Sequence, residues 1–483
     1  MTSTHVIRRQ FVDVEFEGSE DDGLALQHRL LALCQDALGP ALESALDRLV
    51  PAQEHWSIDR LEIDAGSLAP QSLERLVEAV VVGVERQLQD QVSRLASTRL
   101  SSSERQPERK SARDRVDDLM TGRIRSRTQA QSLRQAFLYF LEVGVLPWWL
   151  RLPAGKTLEG VIREVWKEGV DRDAQPQYFA KILGEKIGSA SVRKRLVRQF
   201  STDFLGTLLS SVSSEVASAA REIFTKFRKQ GFTAETSTDF SDQIWESAFV
   251  SAFAGERATA ETLIAESLKA TPPRQQRSVV IGRIEAIWPP ERGRESVPPT
   301  KDSDTRKPED GRTFRLGLEE GVFIDCAGVV LLHPFLARFF EGLGIAEGNK
   351  LLQPERALCL VHYLATGLRF APEYDLLLPK LLCNLPVDTP VDSRIELTAA
   401  EEEEADALLS AVIRHWDALG NTSAENLRGS FLVRPGKLSQ RHGEHLLQVE
   451  TRSYDVLLDR LPWGLGLVQL PWMERNLWVE WRF

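Results

Sequence analysis

Apolar and polar residues alternate, or recur at helical spacing, in four successive segments near the start of the chain. Residues 12–16 alternate valine or phenylalanine with acids, which is the period of a half-buried strand. Ser19 is followed by three acidic residues, so we expect a helix to begin there and to end at about Leu49. Residues 60–64 alternate again and predict a second strand, and apolar residues spaced by three or four over 73–95 predict a second helix. The pattern indicates a small α+β domain.

The centre of the chain carries helical periodicity alone. Its most regular segment has apolar residues that step by four and three positions, namely Leu205, Leu209, Val212, Val216, Ala219, Ile223 and Phe227. Such a heptad seam predicts one long helix that packs against other helices. Packing within a helical bundle is the first interpretation, and self-association of the segment 205–227 as a coiled coil is the alternative.

The last third of the chain mixes short strand patterns with helical ones. Strands are predicted at residues 321–324, 446–450, 465–470 and 477–481. The run Thr398-Ala-Ala-Glu401 is a capping box that opens a helix. The helices of this region are predicted at residues 336–340, 356–364, 374–382 and 399–419. An α/β domain is therefore expected.

Two polar segments interrupt these patterns. Residues 98–130 include a stretch with almost no apolar side chain, and residues 271–312 combine Pro-Pro pairs with dense charge. Neither composition can build a hydrophobic core, so we expect linkers. The predicted fold class is mixed and predominantly α. The predicted organisation is an N-terminal α+β domain, a linker, a helical middle region, a disordered linker and a C-terminal α/β domain, at 1–97, 98–130, 131–270, 271–312 and 313–483.

Composition narrows the possible functions. The 483 residues carry a formal net charge of −10, which argues against a general nucleic-acid-binding protein. The longest apolar run, Ala79–Val84, is far short of the roughly 18 residues of a membrane span, so direct membrane insertion is not expected. The four cysteines are scattered and lack CxxC spacing, so we expect reduced thiols in a cytoplasmic protein.

Residues with catalytic or metal-binding chemistry form no specific constellation in the sequence. His442 and His445 flank Gly-Glu, a spacing that differs from HExxH and falls in a predicted hairpin. The acidic run Glu401–Glu404 lies at a predicted helix N-terminus, where acids complement the helix dipole. Neither a phosphate-binding glycine loop nor a nucleophile elbow occurs. We therefore predict no enzyme activity, no catalytic residue, no metal and no cofactor.

Tryptophan is the residue type that points most directly to function. Leu-Pro-Trp occurs at Leu146–Trp148, Leu461–Trp463 and Leu470–Trp472, and four of the 11 tryptophans lie among residues 461–483. Tryptophan is enriched at binding hot spots and also fills cores, so these positions form either a docking surface or packed interior. The candidates for protein docking are Trp148, Trp149, Trp463, Trp472, Trp478 and Trp481.

Four groups of segments carry a family resemblance: His5–Phe16 with Ile58–Asp64; Phe137–Trp149; Ala327–Leu336 with Arg356–Gly367 and Lys380–Pro386; and Phe431–Leu438 with Tyr454–Trp481. On these segments the chain resembles the tape measure proteins of contractile injection systems, which are phage-tail-like particles that drive a tube through a membrane. The intervening residues 98–130 and 230–312 carry no part of the resemblance.

The resemblance implies a helical structural protein that sets tube or sheath length through protein–protein contacts during particle assembly. It implies as partners the inner tube protein, spike or baseplate proteins, the tube terminator and an ATPase encoded with the system, but no nucleic acid. It also implies a cytoplasmic location during assembly and then a place in the tube lumen. An assembly adaptor or chaperone at the baseplate that does not measure length is the alternative. A hydrolase that uses His442, Glu444 and His445 is a further alternative.

Overall fold

The computed structural model divides the chain into two compact units. Unit 1 comprises Met1–Gln135 and Glu168–Asp171, and unit 2 comprises Ala136–Lys167 and Arg172–Phe483. None of the described helices is long and apolar enough to cross a membrane. The residues that the structure describes are 5, 7, 10–51, 54–58, 60–69, 72–101, 124–153, 155–167, 176–229, 238–270, 318–319, 321–441 and 443–481.

Helices form most of the part of unit 1 that the structure describes. The helices α1 (Glu20–Leu33) and α2 (Gly39–Leu49) are joined without a break by the π-helical turn Cys34–Leu38. The Ser19 hydroxyl accepts a backbone N–H bond at 3.3 Å from the first turn of α1, as its sequence position predicts. The helix α3 (Glu74–Ser101) follows. Both helices predicted for this region are therefore confirmed.

The strands of unit 1 lie outside the segments where the alternation predicts them. Strand β1 (Glu54–Ile58) pairs antiparallel with β2 (Ile124–Thr128) in a two-stranded sheet. Residues 10–17 have no regular secondary structure and are exposed, and residues 60–64 belong to no strand. The strands predicted at 12–16 and 60–64 are therefore wrong.

The alternation in residues 60–64 nevertheless identifies which side chains face the core of unit 1. Leu61 and Ile63 pack with Trp56 and Ile58 against that core. Its fully buried members are Leu38, Leu42, Val84 and Leu88. Alternation of apolar and polar residues indicates that every second side chain is buried. It does not indicate whether the backbone of the segment forms hydrogen bonds with a neighbouring strand.

The helical region of unit 2 has an aromatic core. The ring centroids of Phe200 and Phe204 lie 5.0 Å apart. The ring centroid of Phe137 lies 5.4 Å from that of Phe200 and 5.9 Å from that of Phe204. The helix α4 (Gln129–Val143) spans the boundary between the two units. The helices that follow are α5 (Leu158–Lys167), α6 (Pro176–Lys186), α7 (Ala190–Gln199), α8 (Thr202–Val212), α9 (Ser214–Lys229), α10 (Thr238–Ala254) and α11 (Ala260–Ala270).

The heptad seam is divided between α8 and α9 rather than lying on one long helix. Ser213 between them has φ −146° and ψ 109°, and its hydroxyl accepts the N–H of Val216 at 3.4 Å. Serine favours such a cap over a helix interior. The seam residues Leu209, Val216 and Ile223 are each 0% exposed. The structure thus shows bundle packing within the chain, with most of the seam covered by the chain itself. Self-association through 205–227 stays an untested prediction, and in this fold the buried seam residues are not available for it.

A five-stranded sheet lies in the C-terminal region of unit 2, in the order β3-β6-β7-β9-β8. Only the β7–β9 pair is parallel. The strands predicted at 321–324, 446–450 and 477–481 are confirmed within two residues, whereas the one at 465–470 shrinks to two residues. The strands are β3 (Val322–Ile324), β6 (Gly436–Arg441), β7 (Glu444–Val449), β8 (Leu467–Val468) and β9 (Leu477–Trp481).

Helices cover the inner face of this sheet. Their core includes Leu358, Leu409 and Leu447, each 0% exposed. The predicted helices are found, with two differences. The segment 374–382 divides into a 3₁₀ turn and a short helix, and the helix predicted at 399–419 ends at His415 and is followed by a 3₁₀ turn at Asp417–Leu419. The helices are α12 (His333–Gly342), α13 (Pro354–Thr366), α14 (Leu377–Leu382), α15 (Ala399–His415) and α16 (Ala424–Leu427), and a small hairpin, β4 (Ala346–Glu347) and β5 (Lys350–Leu351), lies between α12 and α13.

The predicted linkers fall mainly outside the described residues. The segment 271–312 lies entirely outside them, and so do residues 102–123 of the segment 98–130. At the ends of the latter segment the structure has regular elements, because α3 continues to residue 101 and β2 occupies 124–128. The helical region and the C-terminal region, predicted as separate domains, share unit 2.

Candidate functional site

Three of the candidate docking tryptophans are held by hydrogen bonds in the C-terminal region. The indole N–H of Trp472 donates to the Leu382 carbonyl at 2.8 Å, and that of Trp463 donates to the Leu331 carbonyl at 3.1 Å. The indole N–H of Trp481 donates to the buried Asp455 carboxylate at 3.1 Å. Trp472 and Trp481 are buried. In this fold these side chains stabilise the core of the region.

Trp478 is the candidate with the clearest exposure, at 49%. It lies on β9 between Leu477 and Val479, which face the core, so its side chain is on the opposite face of the sheet. Its register partner on β8 is Leu467, which is 42% exposed. Trp478 and Leu467 form an exposed apolar patch on the outer face of the sheet, a suitable place for a partner to bind.

Trp148 and Trp149 follow the C-terminus of α4. Leu150 closes a turn by donating its N–H to the Pro147 carbonyl at 2.9 Å, so the two tryptophans occupy the centre of that turn. Both are half-buried. Adjacent residues of a regular strand face opposite sides, whereas Trp148 and Trp149 lie in an irregular turn to which this alternation does not apply. A docking role for them stays a prediction.

A buried ion-pair cluster lies where the helical and C-terminal regions of unit 2 meet. The Glu373 carboxylate accepts a hydrogen bond from Arg195 Nε at 2.9 Å and from Lys380 Nζ at 2.8 Å. The side chains of Arg195, Glu373 and Lys380 are 0%, 0% and 1% exposed. Two cations thus meet one anion away from water. Burial lowers the pKa of Lys380, and the adjacent Glu373 carboxylate opposes that effect.

Backbone carbonyls accept further hydrogen bonds from the two cations of this cluster. Arg195 donates from Nη1 to the Leu141 carbonyl at 2.5 Å and from Nη2 to the Asp388 carbonyl at 2.8 Å. Lys380 Nζ also donates to the Val387 carbonyl at 3.1 Å. The cluster therefore joins the end of α4, the helix α7 and the loop after α14. A buried ion network that is satisfied in this way fixes the relative placement of the elements that supply it.

Gly144 provides the space that the cluster needs. Its φ is +82°, and a Cβ atom there would lie 2.5 Å from Glu373 Oε1 and 3.0 Å from Arg195 Nη2. A residue with a side chain at this position would pay the energetic cost of a left-handed backbone conformation. Its Cβ atom would also clash with the closely packed charged side chains. Gly144 immediately precedes the Val-Leu-Pro-Trp-Trp sequence, so the turn that contains the two tryptophans begins next to the ion pairs.

Two further groups of contacts join the same regions. Arg394 donates to Asp242 of α10, at 2.7 Å and 2.8 Å, and to Asp392. The backbone N–H of Ser393 donates to the Arg198 carbonyl at 3.2 Å, and Gln199 Nε2 donates to the Val391 carbonyl. The segment 388–394 is thus held along α7 and α10.

Burial shifts the pKa of several cysteine and histidine side chains among the described residues. No group of three or more His, Cys, Asp or Glu side chains there could hold a metal ion. Burial raises the pKa of Cys326 and of Cys359 to about 12, which favours the protonated thiol over the thiolate at neutral pH. Burial also lowers the pKa of His445. His442, the other half of the His-Gly-Glu-His candidate, lies outside the described residues.

Sequence reasoning missed the buried cluster because Arg195 is far along the chain from Glu373 and Lys380, which are only seven positions apart. Arg195 and Glu373 are separated by 178 positions, and neither lies in a motif. The available signals were a lysine and an acid inside otherwise apolar segments, at Lys380 and Glu373, and a glycine just after a helical pattern at Gly144. Each signal alone is common in proteins, and only the fold brings them together.

Comparison with known proteins identifies a family over nearly the whole length of the chain. The family model for contractile injection system tape measure proteins matches residues 4–481. No curated protein and no solved structure matches the chain. The match includes both units, the tryptophan positions and the buried cluster.

Proposed function

The chain belongs to the family of contractile injection system tape measure proteins, and from this premise we propose that it sets tube length during particle assembly. The observation that carries the proposal is the family match over residues 4–481, which includes the helical region as well as both flanking regions. Protein–protein contacts at the two ends of the chain would define the two ends of the measured length.

The folded form in the structure sets a requirement for this role. Residues 98–312 as one continuous helix would span about 320 Å, at about 1.5 Å per residue. The described helices of that range instead fold back on one another, as α8 and α9 do at Ser213. A chain that measures a tube must therefore open from this compact form, and the buried cluster of Arg195, Glu373 and Lys380 is among the contacts that opening would break.

The test lengthens the chain without cutting any described helix. Segments of about 10, 20 and 40 residues, duplicated from within 271–312, are inserted into that range, and particle length is measured by electron microscopy. A ruler predicts length that increases linearly with insert size, by about 1.5 Å per residue for helix or about 3.3 Å per residue for extended chain. A matched control carries the same segments ahead of Met1, outside the measured span, and keeps the original length. Particles of unchanged, uniform length with every insert would reject the ruler.

An assembly adaptor that does not measure length is the second candidate, and one observation favours it. The helical and C-terminal regions are tied into one compact unit by buried ion pairs, as expected of a protein that works folded. This candidate predicts that the insertions leave length unchanged while Trp478→Ala reduces the number of particles. Trp478 is suited to this test because it is exposed, so its removal leaves the core intact. Trp472→Ala is unsuitable, since it would remove a buried side chain and its hydrogen bond.

The partners that follow from this role are other components of the injection system. We propose the inner tube protein, the spike or baseplate proteins and the tube terminator as direct partners, and an ATPase of the system as a protein that acts on the chain. The exposed patch of Trp478 and Leu467 is the first surface to test for these contacts. Assembly in the cytoplasm followed by residence in the tube lumen is the location that this role requires.

A further inference from the structure

The N-terminal part of unit 1 exposes a concentration of large apolar side chains. Among the described residues 18 large apolar side chains are exposed, and seven of them lie between residues 7 and 31. Three are more than half exposed on the segment before α1 or on α1 itself, with Phe11 at 85%, Leu24 at 52% and Leu31 at 57%. The seven are Ile7, Phe11, Val12, Val14, Phe16, Leu24 and Leu31. Exposed apolar side chains grouped in this way are typical of a binding surface.

The helix α1 contributes leucines to this surface and buries none of them. The structure describes all 14 of its residues, five of which are leucines, and none of the 14 is buried. Leu24 and Leu31 are seven positions apart, which places them on one face of the helix. Most of the stability of a helix in a protein comes from packing of its apolar face. The exposed face of α1 is therefore suited to pack against a second helix.

The segment before α1 runs back along that helix. Gln10 Nε2 donates to Cys34 Sγ at 3.3 Å, directly after the C-terminus of α1, and Ser19 caps its N-terminus. The 14 residues of α1 span about 21 Å, which the chain between residues 10 and 19 covers when it is extended. The segment and α1 thus form one exposed surface of residues 10–33, the N-terminal surface.

The N-terminal surface is also acidic. Residues 10–28 contain six acids and neither lysine nor arginine, and all six acids are exposed. They are Asp13, Glu15, Glu17, Glu20, Asp21 and Asp22. A second copy of the chain would bring like charges together, and nucleic acids and anionic membranes would be repelled. Charge complementarity therefore requires a basic partner.

We propose that the N-terminal surface binds a partner protein that presents an amphipathic helix, with an apolar stripe flanked by lysine or arginine. The stripe packs on Leu24 and Leu31, and the basic side chains face the acids. A helix fits better than a strand because the exposed leucines of α1 recur at helical spacing. The inference concerns a different surface from Trp478 and Leu467, and it does not depend on whether the chain sets tube length.

The binding test uses the full-length chain and three labelled synthetic peptides of about 21 residues, the length of three heptads. The first peptide has leucine at positions a and d and lysine elsewhere. The second replaces each lysine with glutamate, and the third shuffles the first so that its leucines form no stripe. Fluorescence anisotropy should show that the lysine peptide binds at least about tenfold more tightly than either of the others. High salt should weaken this binding, because the attraction is partly electrostatic.

Two variants test whether the apolar and the acidic side chains both contribute. Leu24→Gln with Leu31→Gln should weaken binding of the lysine peptide by about tenfold or more, because the apolar face is lost. Asp13→Lys with Glu15→Lys and Glu17→Lys leaves three acids against three lysines in residues 10–28, so the preference for the lysine peptide should disappear. This variant should bind the glutamate peptide more tightly than the unaltered chain does, a gain that misfolding would not produce.

Matched controls change exposed residues elsewhere in the same unit. Val82→Gln removes an exposed apolar side chain from α3, and Glu43→Lys with Asp90→Lys reverses two exposed acids. Both controls should bind the lysine peptide like the unaltered chain. Equal binding of the lysine and glutamate peptides by the unaltered chain, or binding that neither variant of the N-terminal surface weakens, would overturn the proposal. So would dimerisation through Leu24 and Leu31 in sedimentation velocity, or binding of the surface to phosphatidylcholine vesicles, since each identifies a different occupant.

Discussion

Gly144 shows how a single residue supports the buried centre of unit 2. It has a positive φ of +82°, and its missing side chain leaves room for the Glu373 carboxylate and the Arg195 guanidinium. Gly155 provides a comparison, because it also has a positive φ, +73°, but a Cβ atom there would have no neighbour within 4 Å. Comparing substitutions at the two glycines therefore distinguishes the energetic cost of the backbone conformation from the energetic cost of displacing buried charges.

We predict that Gly144→Ala destabilises unit 2 much more than Gly155→Ala does. At Gly155 the change should cost about 1 kcal/mol, the penalty of a left-handed backbone for a residue with a Cβ atom. At Gly144 we expect at least about 2 kcal/mol more, since the ion pairs must also shift. Urea unfolding followed by tryptophan fluorescence measures both. Equal losses for the two variants would show that the close contact at Gly144 relaxes freely.

The tryptophans illustrate what residue-scale sequence reasoning can reach. Trp478 and Trp481 are three positions apart on β9, so period two alone places them on opposite faces. Which of the two faces is buried depends on what packs against the sheet. The structure buries Trp481 beside Arg434 and Asp455 and leaves Trp478 exposed. Residue type and spacing therefore predicted the pair, but not which member is available to a partner.

At the scale of elements, the N-terminus of α15 is the best example of local specification. The Thr398 hydroxyl accepts the N–H of Glu401 at 3.3 Å, and the Glu401 carboxylate accepts the Thr398 N–H at 2.7 Å. This is the capping box that the sequence predicts. The fold adds Arg356 from α13, whose Nη2 donates to Glu401 at 2.7 Å. These bonds, with the Arg356 bonds as the largest cause, lower the pKa of Glu401 to about 2.

We predict that Glu401 contributes stability that depends on pH. Its pKa is lower in the folded than in the unfolded chain, so its contribution is complete above the ordinary value of 4.5 and is lost as pH falls towards 2. The shift corresponds to about 3 kcal/mol. The stability difference between the unaltered chain and Glu401→Gln should approach this value at pH 7 and shrink towards zero near pH 2. Glu403→Gln, at an exposed position of the same helix, is the control. A difference independent of pH would contradict the prediction.

At the scale of the whole molecule, the buried cluster makes the helical and C-terminal regions one unit. Arg195 belongs to α7, whereas Glu373 and Lys380 belong to the C-terminal region. Breaking a buried ion pair by removing one partner leaves an uncompensated charge in a medium of low polarity. Opening the chain to span a tube would instead expose all three charges to water, where each is solvated. The cluster therefore resists partial unfolding more than complete opening.

We predict that charge balance decides the effect of mutation in this cluster. Glu373→Gln leaves two buried cations and should lower the stability of unit 2 by about 3–5 kcal/mol. Lys380→Met leaves the Arg195–Glu373 pair intact and should cost clearly less. Tryptophan fluorescence reports mainly on unit 2, because Trp56 is the only tryptophan among residues 1–135. Its thermal transition should shift for Glu373→Gln, with the helical and C-terminal regions melting together in the unaltered chain. Equal losses for both variants would contradict the argument.

The sequence by itself determined most of the helices, their caps and the family. Helix caps such as Ser19 and Thr398 act through neighbouring backbone groups, so the information lies within a few residues. Six of the seven seam residues over 205–227 are buried, all but Val212, since burial follows helical spacing. The family match depends on the order of residues along the chain, and it needs no structure.

Only the tertiary structure decided the pairings between distant segments. It placed the strands of unit 1 at 54–58 and 124–128, because a ladder depends on which second segment is available and not on alternation alone. It broke the seam at Ser213 and folded α8 against α9. It also brought Arg195 to Glu373 across 178 positions. Contacts of this kind depend on packing of the whole chain, and no local pattern of residues records them.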